Sequence, residues 1–436
     1  MPWNANQKTL LNNSALWAAY DGLTSTFISA FALALGASNL WIGILGAIPF
    51  VATALSQIPG AYSVQFVARK TIYLVMTGSS RLFWILILLA PFLFPHKALV
   101  FIALAYFIAK LLETFADPSW TTMLADIVPQ HIRGRYVADR NILMGITGAA
   151  AYVAGGLLLD WFEKESIAGF AVIFGVGSIV GLATTLAMRN VKEPHIHTHE
   201  HYTVGEFFTM DPLFRRFCTF VFAFHFSWMI VSPFFTVYML KNLGISYTYF
   251  VAMMAISTLA KIISHRKFGI IADRFGDKAL MIIVTSAVAL VPVMFYFVTP
   301  DTLWFLAPVH IFSGIAWAGF DIAMLNLMID FSDGKKAPVR IAEAQMVSAL
   351  AIIIAPIIGG FLADHIIWVV SGIPFLFLLG SMLRIVSLMF LVRLPEPRVT
   401  GAPSDIFHDI IGFRPVEGII AGTRNVGRRL KAFMPR

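Results

Sequence analysis

The sequence predicts an all-α polytopic membrane protein with twelve transmembrane helices in two pseudo-symmetric six-helix halves. Three observations predict it. The 436 residues are 58% hydrophobic and only 13% charged, with a mean hydropathy of +0.78, where a soluble domain carries about 25% charge. Apolar runs of about 20 residues recur along the chain, each long enough to cross a bilayer as a helix. Finally, the chain repeats itself. Leu35-Gly36-Ala37-Ser38 returns as Leu243-Gly244-Ile245-Ser246, an offset of 208, and Gly155-Gly156-x-x-x-Asp160 returns as Gly359-Gly360-x-x-x-Asp364, an offset of 204. The stretch from Gly177-Ser178 to Glu193-Pro194 returns as Gly380-Ser381 to Glu396-Pro397, an offset of 203. Offsets that drift so little across six spans indicate a duplicated unit.

In chain order the spans read as 11–35, 41–66, 71–94, 98–124, 141–159 and 167–188, then 214–239, 246–267, 279–298, 303–329, 343–363 and 371–392. This divides the chain into a first half (1–188), a polar linker (189–213), a second half (214–394) and a tail (395–436). In the tail, Ile406, Phe407, Ile410 and Ile411 have helical spacing, compatible with a short surface helix or with a disordered segment. No cleavable signal peptide is read at the start. The single cysteine, Cys218, supports no disulfide framework.

An even number of spans puts both termini on one side. Of the 32 lysines and arginines, only Lys97, Lys164 and Lys241 fall in the opposite loops, and Arg81, Lys110, Lys261 and Arg384 fall within spans. The remainder, such as Arg69, Lys70, Arg133, Arg135, Lys335 and Lys336, mark the terminal side as cytoplasmic. The net charge of +8 is therefore a topology signal. It implies anionic membrane lipid as a partner and no nucleic acid. A multi-pass monomer in the plasma (inner) membrane is expected. There is no phosphate-cradling Gly-rich loop, metal-ligand cysteine set or nucleophile elbow, so no enzyme and no cofactor is expected.

One charged turn between apolar segments is more specific: Gly269-Ile-Ile-Ala-Asp273-Arg274-Phe-Gly276-Asp277-Lys278, of the form G-x-x-x-D-R-x-G-x-K. It resembles the signature loop of the major facilitator superfamily of secondary transporters. The resemblance covers about residues 11–393 through motif, span count and repeat. It implies two six-span halves rocking about a midplane cavity. It also implies that Asp273 pins a cytoplasmic gate at the start of span 11, with Arg274, Asp330 and Arg340 as partners, and that Gly269 and Gly276 allow a tight turn and close helix approach. The first-half equivalent, residues 61–70, holds Gln65 for the aspartate, Phe66 for the arginine and alanine for both glycines; only Lys70 remains. The gate is accordingly expected to depend chiefly on the second half.

Ionisable residues within spans are costly and need a partner or a task. In the family fold, spans 1, 4, 7 and 10 line the cavity. Here they carry Asp21, then Glu113 and Asp117, then His225, then Asp321, with Asn326 and Trp228 added to the set. Lys110, Glu113, Thr114, Asp117 and Thr121 form one helical stripe. Lys110 can neutralise Glu113, which leaves Asp21 or Asp117 as the proton carrier. A cavity poor in water favours the neutral acid, and that is the requirement for proton coupling. The alternative is a static ion-pair network, most applicable to Asp117 and Asp321 near the cytoplasmic ends. Arg81 and Arg384 are expected to reach inward to an acid or an anionic solute, and Lys261 to snorkel or join the gate.

His225-x-x-x-Met229 also resembles a motif of a copper-importing branch of the superfamily, and the histidine run at 195–201 has metal-ligand character. Chance and solvated linker are the simpler readings, and no metal site is expected. The aromatics Trp17, Tyr20, Phe220, Phe224, Trp228, Trp317 and Phe320 suggest an apolar cavity wall suited to a small amphipathic or cationic solute. Together these features predict a secondary transporter working by alternating access, coupled to protons, with export by antiport favoured. The rivals are import of a metabolite or copper, and a transporter-shaped sensor or scaffold.

Overall fold

Aligned apolar runs separated by short basic or Gly-rich turns fold into a bundle in which consecutive spans run antiparallel. The computed structural model describes residues 3–64, 66–162, 167–192, 210–331, 337–366 and 372–396, and these contain helices and no strand. Span 1 is Ala5–Leu23 followed by Ile28–Ala34, span 2 Asn39–Ser63, span 3 Arg69–Leu93, and span 4 Ala98–Phe115 followed by Asp117–Ile127. Span 5 is Gln130–Asp160 and span 6 Ile167–Ala187. Span 7 is Pro212–Met229 followed by Ser232–Val237; spans 8 to 12 are Tyr247–Phe275, Asp277–Tyr296, Leu306–Phe331, Ala337–His365 and Ile373–Val392. Gln65, Lys164, the 332–336 loop with Lys335 and Lys336, the histidine run at 195–201 and the chain beyond 396 lie outside the described residues.

Among the described residues, eleven of these segments are long and apolar enough to cross a membrane. Span 1 starts earlier than expected and is broken in its interior. It starts at Ala5 because Asn4 and Gln7 close a capping box there. It breaks at Thr24, whose hydroxyl donates to the Tyr20 carbonyl, and continues through a 3-10 turn at Ser25–Phe27. The repeated Leu-Gly-x-Ser turns have a plain backbone cause. Gly36 and Gly244 sit at φ of 78° and 65°, the left-handed region that ends a helix cheaply only with glycine.

Around the bundle the spans follow one another as 2, 4, 3, 6, 1, 5, then 8, 10, 9, 12, 7, 11, and span 11 returns to span 2. The halves thus meet along two seams, 2 with 11 and 5 with 8, and through the outer pieces of spans 1 and 7. Apolar packing is uneven along the bundle axis. One large buried cluster joins both halves at the end away from the termini, including Phe31, Ile48, Phe170, Phe234, Val251 and Ala355. At the basic, terminal end each half has its own cluster, one around Phe217, Leu280 and Leu327 and the other around Leu10, Met123 and Tyr136. Since a shared core resists separation, the halves are tied at the far end and apart at the basic end.

The loop lysine common to both copies has an intrahalf job. Lys70 Nζ donates to the carbonyls of Arg189 (2.5 Å) and Val191 (2.9 Å) at the end of span 6. Lys278 Nζ donates to those of Val392 (3.0 Å) and Leu394 (2.5 Å) at the end of span 12. These acceptors correspond at the 203 offset. A cation on the last carbonyls of a helix satisfies orphan acceptors and opposes the dipole. Lys70→Met and Lys278→Met should therefore each cost about 0.3–1 kcal/mol, with equal effects in the two halves when unfolding is followed in detergent.

Candidate functional site

The site begins at the break in span 4. Pro118 has no N–H to continue the ladder, so Ala116 closes the upper segment on Glu113 and Thr114 carbonyls and a new segment starts at Asp117. Glu113, Asp117 and Thr121 then reach one cavity of about 370 Å³ in the first half, toward the basic end. Trp17, Tyr73, Arg81, Trp120 and Arg140 wall it, with Asn13 and Gln57 among the polar groups.

Glu113 is engaged at both oxygens. Its Oε1 accepts from Arg81 and from the Trp17 indole, both at 2.9 Å, and its Oε2 accepts from Lys110 at 2.9 Å. Lys110 also reaches Asp21 at 3.4 Å. Two cations thus face two carboxylates on spans 1, 3 and 4. Arg81 is fully buried and lies over the Tyr20 ring, 3.8 Å from its centroid. Burying a guanidinium is tolerable only with such compensation. Asn13 forms a second node, donating to Tyr73 (2.9 Å) and to the Thr184 carbonyl (2.9 Å) while accepting from the Trp120 indole (3.0 Å). Arg140 donates through Nε to Ser14 (2.9 Å) and lies over the Trp120 ring at 4.5 Å.

Asp117 differs from its neighbours. It lines the cavity and, among the described residues, makes no hydrogen bond or ion pair. Its counterpart at the 204 offset, Asp321, is 2.6 Å from Lys261. The position matching Lys261 in the first half is Thr53, which bonds the Pro49 carbonyl and supplies no charge. The duplicated acids are therefore unequal, one neutralised and one bare.

The other expected residues fall elsewhere. Arg384 is buried, donates to the Val288 carbonyl (2.9 Å) and, among the described residues, meets no carboxylate. Nδ1 of His225 lies 2.8 Å from the Val221 carbonyl, which can only accept, and its ring meets Trp228. Met229 is packed into the core. Among the described residues no group of three or more His, Cys, Asp or Glu could hold a metal. The aromatic wall is smaller than expected, because Tyr20, Phe220, Phe224 and Phe320 are buried in packed cores. Phe224 and Phe320 stack at 4.1 Å, and Trp228 meets Trp317 at 5.0 Å.

At the basic end, Gly276 takes φ of 91° between spans 8 and 9, so the tight turn needs glycine. A Cβ added at Gly269 would meet nothing within 4 Å, so close helix approach does not require glycine there. Arg274 lies over the Phe275 ring at 5.0 Å, while the side chain of Asp273 lies outside the described ones. Arg340, expected beside Asp273, pairs with Asp211 (3.0 Å) and Glu343 (3.2 Å). Asn326, expected in the cavity, donates to Asp277 at 2.7 Å. Asp330 ends span 10 where Asp126 ends span 4, and Asp126 is 2.7 Å from Arg69. Asp211 caps span 7, and its carboxyl is held below the usual carboxylate range, first by the Phe214 N–H and also by Arg340. A lowered acid stabilises above its unfolded titration range and loses that only as pH falls through its folded one, so this cap outlasts mild acid.

Sequence reasoning missed Asn13, Gln57, Tyr73, Trp120 and Arg140. Asn13 and Ser14 were visible as polar residues inside an apolar run, and Arg140 fell one residue before the expected start of span 5.

A family model described as Major Facilitator Superfamily matches residues 10–224 and again 217–416. No curated protein matches the chain by sequence. Among solved structures, a nucleoside transporter NupG (D323A mutant) superposes with a TM-score of 0.73 at 14% identity, covering 88% of this chain and 99% of that one. A bacterial homologue of the iron transporter ferroportin, in an inward-facing state, gives 0.72 at 13% identity, with 89% and 98% covered. A D-xylose-proton symporter gives 0.68 at 14%, with 90% and 98% covered. At such identities the likeness is one of fold.

Proposed function

From membership of the Major Facilitator Superfamily, to which the chain belongs, we propose that this transporter is a proton-coupled antiporter exporting a small organic cation with an apolar body. It works as a monomer in the plasma membrane, with the basic end and both termini in the cytoplasm. The observation that carries this reading is the bare Asp117 carboxylate on the cavity wall, beside a Glu113 already held by Arg81, Lys110 and Trp17.

A proton and a cationic solute both neutralise a carboxylate, and only one can do so at a time. Binding at Asp117 is then competitive, and competition at a site exposed alternately to each side yields antiport. The Trp17 and Trp120 indoles supply apolar faces for the body of the solute. Arg140 stays compatible with a cation because its guanidinium is turned onto Trp120 and Ser14. Glu113, with its cations, acts as a fixed brace that sets the charge around Asp117. The basic end faces the cytoplasm by the lysine and arginine bias.

The test uses proteoliposomes and tetraphenylphosphonium as the probe cation. Adding the probe on one side should move protons toward that side, and an imposed pH gradient should drive the probe the opposite way. Protons and probe moving together would replace antiport with symport, and probe flux indifferent to pH would remove the coupling altogether.

A further inference from the structure

The two Gly-Gly-x-x-x-Asp elements of the repeat have no part in the cavity. Each ends a span of one half, and each aspartate bonds the first turn of a helix in the other half. Asp160, at the end of span 5, accepts from the backbone N–H of Tyr247 (2.9 Å) and of Thr248 (2.8 Å), which begin span 8. Asp364, at the end of span 11, accepts from the backbone N–H of Asn39 (3.2 Å) and Leu40 (2.9 Å), which begin span 2, and from the Asn39 amide side chain (2.8 Å). The acceptors correspond at 204 and the donors at 208, so one contact is the pseudo-symmetric image of the other.

The second glycine of each pair belongs to the same device. A Cβ on Gly156 would come 3.0 Å from the Tyr247 carbonyl oxygen and 2.5 Å from a Val251 methyl. A Cβ on Gly360 would come 2.6 Å from the Asn39 carbonyl oxygen and 2.8 Å from Leu40 Cα. Only glycine lets the backbones approach closely enough for the aspartate one turn later to reach the N–H groups. Those groups are the orphan donors of a helix start, and a carboxylate is the acceptor they favour most.

We propose that Asp160 and Asp364 are twin latches of the outer gate, each holding a helix start of the opposite half while the transporter is open to the basic side. Opening the far side separates span 5 from span 8 and span 11 from span 2. Both carboxylates must then release the helix starts to water. The latches act on the conformational equilibrium and touch neither cargo nor proton, so they serve whatever solute is carried. The same contacts explain why the repeat preserves Gly156, Gly360 and both aspartates, whereas Gly155 and Gly359 pack against Phe27 and Ile230 of their own halves.

Spin labels report the gate. In a Cys218→Ser background, cysteines at Lys97 and Trp304 put labels on exposed loops of opposite halves at the far end. Asp160→Ala and Asp364→Ala should each raise the long-distance, outward-open population relative to the short one about fivefold, as loss of a helix cap does, and together more. Gly360→Ala should shift the distances the same way, by steric separation, with both carboxylates intact. Asp160→Glu should restore part of the short population. An unchanged distance distribution in both single aspartate variants, each retaining its helical circular dichroism, overturns the proposal. So does a shift confined to one of the pair, since the latches are symmetric.

Discussion

Replacing Asp117 with asparagine should abolish proton-coupled exchange while leaving the fold intact. The amide is close in shape, neither charged nor titratable, and takes no partner away because Asp117 has none among the described residues. Losing a charge-assisted contact should weaken binding of an organic cation by about 10- to 100-fold. In the wild type, the same affinity should fall as pH falls, because protons take the carboxylate; in Asp117→Asn it should be flat with pH. Isothermal titration of the purified carrier across pH measures both. The matching Asp321→Asn change should keep proton coupling, since that acid is already neutralised by Lys261 at 2.6 Å. Should Asp321→Asn uncouple and Asp117→Asn not, the coupling site lies in the second half and our assignment is wrong.

Glu113→Gln should have the largest effect on stability. It removes the carboxylate charge shared by Arg81, Lys110 and Trp17 and leaves one accepting amide oxygen in place of two. Two buried cations would be left with the single, longer ion pair from Lys110 to Asp21 at 3.4 Å. Stripping a buried ion pair of one partner costs about 3–5 kcal/mol, and unfolding in detergent should show it. The double change Glu113→Gln with Arg81→Met should recover a good part of the loss, because it removes a stranded guanidinium rather than adding a contact. Equal instability of the single and double variants would mean that Arg81 is held chiefly by the Tyr20 ring.

The machine was legible in the sequence to different depths. Spans 2 to 12 were readable because an apolar run of bilayer length has one solution in lipid. Span 1 was misplaced at its start, where Asn4, Asn6, Gln7 and Lys8 make polar text that the capping box nevertheless turns into helix. The repeat was readable too, but its purpose was not. Gly-Gly-x-x-x-Asp announced a matched feature, yet the N–H groups it meets lie about 90 residues away for Asp160 and more than 300 for Asp364. The surviving Lys70 likewise looked like the remnant of a decayed motif until its acceptors, Arg189 and Val191, were seen beside it.

The ionisable residues divide along the same line. Sequence alone determined that Asp21, Arg81, Lys110, Glu113 and Asp117 lie in the membrane and therefore need partners or tasks, because an ion in hydrocarbon is costly wherever it stands. It also determined the duplication, the bundle and the sidedness bias, all of which follow from local composition and order along the chain. Spacing along span 4 already offered Lys110 to Glu113, but whether Asp21 or Asp117 stays without a partner was decided only by the tertiary structure. Glu113 and Asp117 are one helical turn apart. Arg81 from span 3 and Trp17 from span 1 converge on the first and not on the second, while Thr53 takes the place that Lys261 holds in the other half. Charge neutralisation depends on distances of a few ångströms between helices, and those distances exist only once the spans have packed.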